Sequence, residues 1–155
     1  MRVIIEDWIA GLARYVSNEI QDQKHTFSRI DSSSYKEDWV IRVSDSKTTI
    51  ISSNVTVKGI SRVDLSYEYY GSKGLDPWFI LYQSANYLVV YYLGNFGDAI
   101  KYSGAYVLSR IPGWIPWTER AKIERAISEA NVDFVFKDMC NYEQESLKCS
   151  YSTDL

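Results

Sequence analysis

Trp78-Phe79-Ile80-Leu81-Tyr82 and, after four residues, Tyr87-Leu88-Val89-Val90-Tyr91-Tyr92-Leu93 are apolar at nearly every position. Both runs are short and rich in aromatic and β-branched side chains, which fit a pleated surface. A strand that is apolar on both faces is ordinarily covered on both faces. Gln83 to Asn86 supplies a turn, so the two runs read as a hairpin at the centre of an antiparallel sheet.

Working outward, period-two signals continue upstream. Leu65, Tyr67 and Tyr69 alternate with Ser66, Glu68 and Tyr70, and Trp39, Ile41 and Val43 alternate with Val40, Arg42 and Ser44. Thr48 to Ser52 and Asn54 to Lys58 are short and β-branched. Gly71 to Pro77 reads as a turn-rich connection, and Asp31-Ser32-Ser33-Ser34 as the loosest part of a polar stretch. At the N-terminus Ile5, Trp8, Ile9, Leu12, Val16 and Ile20 recur at spacings of three and four, which predicts a helix from about residue 3 to about residue 24.

Downstream, Gly94-Asn95-Phe96-Gly97 breaks the strand pattern. Ala99, Tyr102, Tyr106, Val107 and Ile111 then fit a helix capped by Asp98 and stopped by Pro112. Thr118 caps a further helix with the stripe Ile123, Ala126, Ile127 and Ala130, an Arg125–Glu129 pair, and Asn131 as a left-handed stop. Val132 to Phe136 reads as a final short strand, and the polar tail from about Asn141 as a fraying end. The expected class is α+β: an N-terminal helix, an antiparallel or mixed central sheet of about five to six strands, two helices and a short last strand. The 155 residues, 1–155, suit one globular domain.

The totals exclude more than they identify. Hydrophobic residues make up 46% and charged ones 24%, so default disorder is excluded. A net charge of −3 gives no general pull toward nucleic acid or an anionic membrane. Glu6 and Asp7 interrupt what would otherwise be a signal-peptide apolar run, and no later run approaches the ~20 residues needed to span a bilayer. The expectation is a cytoplasmic protein, a monomer or weak dimer when free. In that compartment Cys140 and Cys149 read first as thiols, with a disulfide between them left open.

No cofactor or metal is called for. The only histidine, His25, stands among Gln23, Lys24 and Thr26 and reads as a surface residue. A lone histidine disfavours histidine-based zinc and phosphoryl-transfer chemistry, and no spacing makes either cysteine a nucleophile. No catalytic residue is therefore assigned. Nine of the thirteen tyrosines lie between Tyr67 and Tyr106. Tyrosine pairs a large apolar body with a polar tip, a composition suited to gripping a partner. Residues 63–98 carry a net −3, so these tyrosines keep company with acids. Glu68, Tyr69, Tyr70, Asp76 and Trp78, with Asp98 more distant, form the candidate partner-binding surface, and the exposure of Tyr69 and Tyr70 is its test.

A small, acidic, aromatic-rich α+β chain without catalytic residues resembles the immunity proteins of bacterial contact-dependent inhibition and related polymorphic toxin systems. The resemblance covers the whole chain in character, without a shared motif; the segment Gly94-Asn95-Phe96-Gly97-Asp98-Ala99-Ile100 and the helix pair after it belong to it. It implies a non-enzymatic protein that neutralises a cognate toxin domain, basic and of nuclease type, by occlusion. A second reading is a small-molecule-binding or hydrolytic domain with a tyrosine-lined pocket and Glu68 or Asp64 as its acid or base. A deep pocket holding a carboxyl of raised pKa favours that reading, and a flat acidic face counts against it. A third is a subunit or adaptor of a larger assembly.

Overall fold

The computed structural model describes residues 2–9, 22–44, 47–97, 100–111, 114–132 and 140–141. These form β1 (Arg2–Ile9), β2 (Asp22–Arg29), β3 (Ser34–Ser44), β4 (Lys47–Val57), β5 (Arg62–Tyr69), β6 (Ser72–Gln83), β7 (Tyr87–Phe96), β8 (Ile100–Ser109), α1 (Trp117–Ala130) and β9 (Cys140–Asn141). Strands β2 to β8 pair antiparallel in chain order. β8 pairs with β1, and β1 pairs back to β2 through Arg2–Lys24 and Val3–Gln23. The sheet thus curls until it meets itself, an up-and-down barrel that removes most of its unpaired edge. β9 adds two residues alongside β1.

The period of two sorts side chains between two cores. Val55, Leu65, Trp78, Val90, Tyr92, Tyr106 and Leu108 come from five strands and pack together, which is achievable only across the barrel interior. The alternate positions Tyr87, Val89, Ala105 and Val107 form the outer face of β7 and β8, where Ile123 and Ile127 of α1 cover them. β7 is therefore covered on both faces, which is why it is apolar at nearly every position. The hairpin β6–β7 turns at residues 84–86, with Ser84 N–H donating to the Tyr87 carbonyl at 2.9 Å.

The fold departs from the α+β expectation. Within the stretch read as an N-terminal helix, Arg2–Ile9 and Asp22–Arg29 are strands, and residues 10–21 lie outside the described residues. Val3, Ile4 and Ile5 are branched at Cβ and suit a strand. In β2 the inward positions are Gln23, His25 and Phe27, so two of the three are polar and the alternation is hidden from hydrophobicity.

The helix expected over residues 98–111 is strand β8. Tyr102 and Tyr106 are four apart, a spacing that satisfies a period of two as well as one of 3.6. Gly104, costly in a helix by about 1 kcal/mol, lies opposite Tyr92 in the β7–β8 ladder. The connection expected at Gly71–Pro77 shrinks to Tyr70-Gly71. Both residues have positive φ, 51° and 77°, the two-residue hairpin turn whose twist matches its strands. β6 then runs straight through Pro77.

The helix expected from Thr118 does form, as α1, starting at Trp117 behind Pro116 and ending at Asn131 with φ 50° and ψ 44°. Its exposed ion pairs are Arg120–Glu124 and Glu119–Lys122. Asp31-Ser32-Ser33-Ser34 is an ordered turn: Asp31 Oδ1 accepts from the Ser33 and Ser34 N–H groups at 2.8 and 2.9 Å. The Ser34 hydroxyl and these amides hold the Asp31 carboxyl below its usual range. The strand expected at Val132–Phe136 lies outside the described residues from position 133 on, as do Cys149 and the tail after Asn141.

Candidate functional site

The interior changes character along the barrel axis. At the end where β2 turns to β3, β4 to β5 and β6 to β7 it is apolar: Val55, Leu65 and Leu108, with Phe27, Tyr35, Val63, Ile80 and Leu88 against them. Further in, His25 and Glu37 face each other from β2 and β3 and are hydrogen-bonded through Nδ1 and Oε1. His25 is 1% exposed. Its ring stacks on Trp39 at 5.6 Å and on Phe27 at 6.3 Å, with Trp78 edge-on at 5.6 Å. The reading of His25 as a surface residue is thus overturned: it is the buried basic member of an internal pair. Trp39 Nε1 donates to Gln23 Oε1 at 2.9 Å on the same inner wall.

Beyond this level a second polar system spans β5, β6 and β8. The Tyr102 hydroxyl donates to Asp76 Oδ1. The Tyr67 and Tyr102 hydroxyls lie 2.6 Å apart. Tyr102 has one hydrogen and gives it to Asp76, so Tyr67 is the donor between the two tyrosines. Two glycines make the arrangement fit. Gly74 is the ladder partner of Tyr67 and Gly94 that of Tyr102. A Cβ at either position would overlap the facing ring, and at Gly94 it would also strike Asp76 Oδ1. Tyrosine laid across a facing glycine is a recognised way to pack a strand that lacks a side chain.

Burial pushes the Asp76 carboxyl up, the bond from Tyr102 offsets part of this, and the nearby Glu37 charge raises it again, to about 7. Burial, and then the Asp76 charge, likewise raise the hydroxyls of Tyr67 and Tyr102. Yet Asp76, Tyr67 and Tyr102 face inward and are only half-buried. Accessible surface therefore remains beside them, and the interior is not packed solid at this level. Every lysine and arginine of β2 to β8 with a described side chain is exposed. Among the described side chains of β2 to β8 the interior thus holds two carboxyls and one histidine. No group of three or more metal-ligating side chains occurs among these residues.

At the end where β5 turns to β6 an aromatic rim follows. Tyr67 stacks on Phe96 at 6.3 Å, and Tyr69 lies 6.5 Å from Phe96 and 4.4 Å from Tyr70. Here the proposed partner surface comes apart. Glu68 is exposed on the outer face of β5, Tyr70 is 90% exposed on the turn, and Tyr69 is half-buried on the inner face. Asp76 and Trp78 lie inside the barrel, and Asp98 lies outside the described residues. Asp64, offered as an acid or base, is on the outer face in an ion pair with Arg62 at 2.9 Å. The six residues do not form one surface; the interior brings together Tyr69, Asp76 and Trp78 alone. Reading the sequence missed His25, Glu37, Tyr67, Tyr102, Gly74 and Gly94. The signal available for four of these was a tyrosine or glycine at alternating positions of β5 to β8.

No protein-family model and no curated protein sequence matches the chain. Among solved structures the fold is similar to lobster apocrustacyanin A1, with a TM-score of 0.62 and 15% identity over 85% of this chain and 69% of that one. It is similar to the bovine lipocalin allergen Bos d 2, at 0.61 and 15% over 94% of this chain and 91% of that one. It is also similar to apocrustacyanin C1, at 0.58 and 14% over 84% and 72%. These likenesses establish a lipocalin-like barrel. They overturn the resemblance to toxin-immunity proteins, which assumed an α+β fold, and with it the toxin inhibitor and its basic toxin partner.

Proposed function

We propose that the chain binds a small molecule inside the barrel. The observation that carries this reading is the Asp76–Tyr102–Tyr67 chain, inward-facing, hydrogen-bonded and still accessible within a closed aromatic wall. An eight-stranded barrel has an interior just wide enough to be filled by side chains or to hold one small ligand, as in lipocalins. In this chain two inward glycines make room for the Tyr67 and Tyr102 rings that frame the carboxyl. A core serving stability alone gains nothing from a carboxyl held near neutrality by burial, because an apolar residue of like volume costs less there. A deep, enclosed carboxyl of raised pKa is the feature expected of a binding pocket rather than of a flat protein-docking face. The carboxyls of that pocket are Asp76 and Glu37, in place of Glu68 and Asp64. Binding alone accounts for the arrangement, with no catalytic step.

The test is titration with the neutral fluorescent probe N-phenylnaphthylamine. The expected result is saturable binding of one probe per chain. Ser53, small, buried and inward-facing on β4 between Glu37 and Tyr67 in the ladders, offers a way to fill the interior. Ser53→Phe, with its fold checked by circular dichroism, should abolish binding. Absence of binding by the natural chain, or unchanged binding by a folded Ser53→Phe, defeats the reading.

A further inference from the structure

We propose that the ligand carries a positively charged nitrogen on an apolar or aromatic body, and that Asp76, framed by Tyr67 and Tyr102, is its anchor. This rests on the interior-binding reading and adds the sign of the charge to it.

The charge inventory is the first argument. Among the described side chains of β2 to β8 the interior has two carboxyls, Asp76 and Glu37, and the one base, His25, is already engaged with Glu37. All lysines and arginines of β2 to β8 with described side chains point to solvent. Asp76 is thus an internal carboxyl without a basic partner among the described residues. Buried carboxylates are tolerated when paired with a cation or richly hydrogen-bonded. A carboxylate has about four acceptor positions, and the structure seats only the Tyr102 hydroxyl at close hydrogen-bond range among the described residues. The remainder faces the accessible space.

The second argument is the surface around that space. Tyr102 lies edge-on to Tyr92 at 6.1 Å, and Tyr92 stacks on Tyr106 at 4.8 Å. Aromatic faces beside a carboxylate attract a cation through the ring quadrupole as well as through charge. An anionic ligand would meet two carboxyls and the negative faces of these rings.

The third argument is independent of the acids. Trp78 lies two residues along β6 from Asp76 on the same inner face and is 2% exposed. Its indole N–H is buried and has no hydrogen-bond partner among the described residues. An orphaned buried donor is costly, and it is satisfied when a bound molecule brings an acceptor. The ligand's body therefore carries an acceptor, such as a carbonyl, ether or ring nitrogen, on the Trp78 side and its cation on the Asp76 side.

Isothermal titration calorimetry with naphthylmethylamine, naphthylmethanol and naphthylacetate, which share one aromatic body and differ in charge, tests the proposal. Near pH 8, where the Asp76 carboxyl is ionised, the amine should bind about tenfold or more tighter than the carboxylate, with the alcohol between. Asp76→Asn should remove about tenfold of the amine's affinity while leaving the alcohol's within about twofold. Glu37→Gln is a second variant and should weaken the amine by about threefold. Equal binding of all three probes, tightest binding of the carboxylate, or an amine affinity unmoved by both variants overturns the proposal and leaves interior binding standing. Failure of all three, together with failure of N-phenylnaphthylamine, overturns interior binding itself.

Discussion

The two faces of the β6–β7–β8 wall are made by the same three strands and could hardly differ more. The outer face, under α1, is Tyr87, Val89, Ala105 and Val107 against Ile123 and Ile127, nearly all fully buried. The inner face is Trp78, Tyr92, Tyr102 and Tyr106 around a carboxyl, with glycines at 74 and 94. One side is filled mainly with aliphatic side chains. The other keeps aromatic rings, hydroxyls and open space. A chain selected only to hold the barrel closed would build both faces like the first. On the proposed reading the outer face supplies stability and the inner one recognition, and substitutions can break that division.

The largest effect should come from the outer face. Ile123 is wholly buried between α1 and the sheet, and Ile123→Ala should cost about 2–5 kcal/mol by lost transfer and a residual cavity. Chemical denaturation measures the loss, and the binding preference among charged, neutral and anionic probes should not change. A changed preference would show that the two faces are not separable. Gly94→Ala should come next, at about 1–3 kcal/mol, because the new methyl group meets the Tyr102 ring and Asp76 Oδ1. Unlike the outer-face change, it should also alter probe binding by displacing the tyrosine that frames Asp76.

Asp76→Asn separates the faces by pH. The Asp76 carboxyl moves from 3.8 to about 7 on folding, chiefly through burial. Between those values the folded chain holds a proton that the unfolded chain has lost. The stability contributed by Asp76 is therefore full below pH 3.8 and declines as pH rises through about 7. Asparagine keeps an acceptor for Tyr102 and carries no proton to lose. Thermal melts of the two proteins should diverge as pH rises, the variant becoming more stable by on the order of 2 kcal/mol at pH 8. Melting curves whose difference is flat from pH 4 to pH 8 would remove Asp76 from the buried role given to it.

The legibility of the sequence followed the same division. The outer-face pattern was plain: Tyr87 to Leu93 read as a strand covered on both sides, and the stripe Ile123, Ala126, Ile127 as a packed helix. The inner face was obscure because hydrophobic periodicity cannot see polar residues that point inward. Gln23 and His25 hid β2, and Gly104 with tyrosines four apart gave β8 a helical disguise. Tyr67 to Tyr106 stood out for its tyrosine content. What could not be read was that its tyrosines converge, which depends on ladder partners such as Tyr67–Gly74 and Gly94–Tyr102. Barrel closure through β1 and β2 has no local signal at all, being a contact between the two ends of the sheet.

Tyr67→Phe should have the smallest effect and asks the most specific question. Tyr67 donates to Tyr102, which donates to Asp76, so removing the Tyr67 hydroxyl leaves the bond to the carboxyl in place. Its ring still lies over Gly74, so packing is conserved. The loss should be that of a single half-buried hydrogen bond, about 0.5–1.5 kcal/mol, read from denaturant midpoints. By donating to Tyr102, Tyr67 also favours the ionised form of Asp76, a contribution smaller than those of burial, Tyr102 and Glu37. Phenylalanine removes that support, so Asp76 should titrate at slightly higher pH in the variant. The pH at which its divergence from Asp76→Asn levels off should rise accordingly. An unchanged levelling point would confine Tyr67 to packing and leave Tyr102 as the one hydroxyl that tunes the carboxyl.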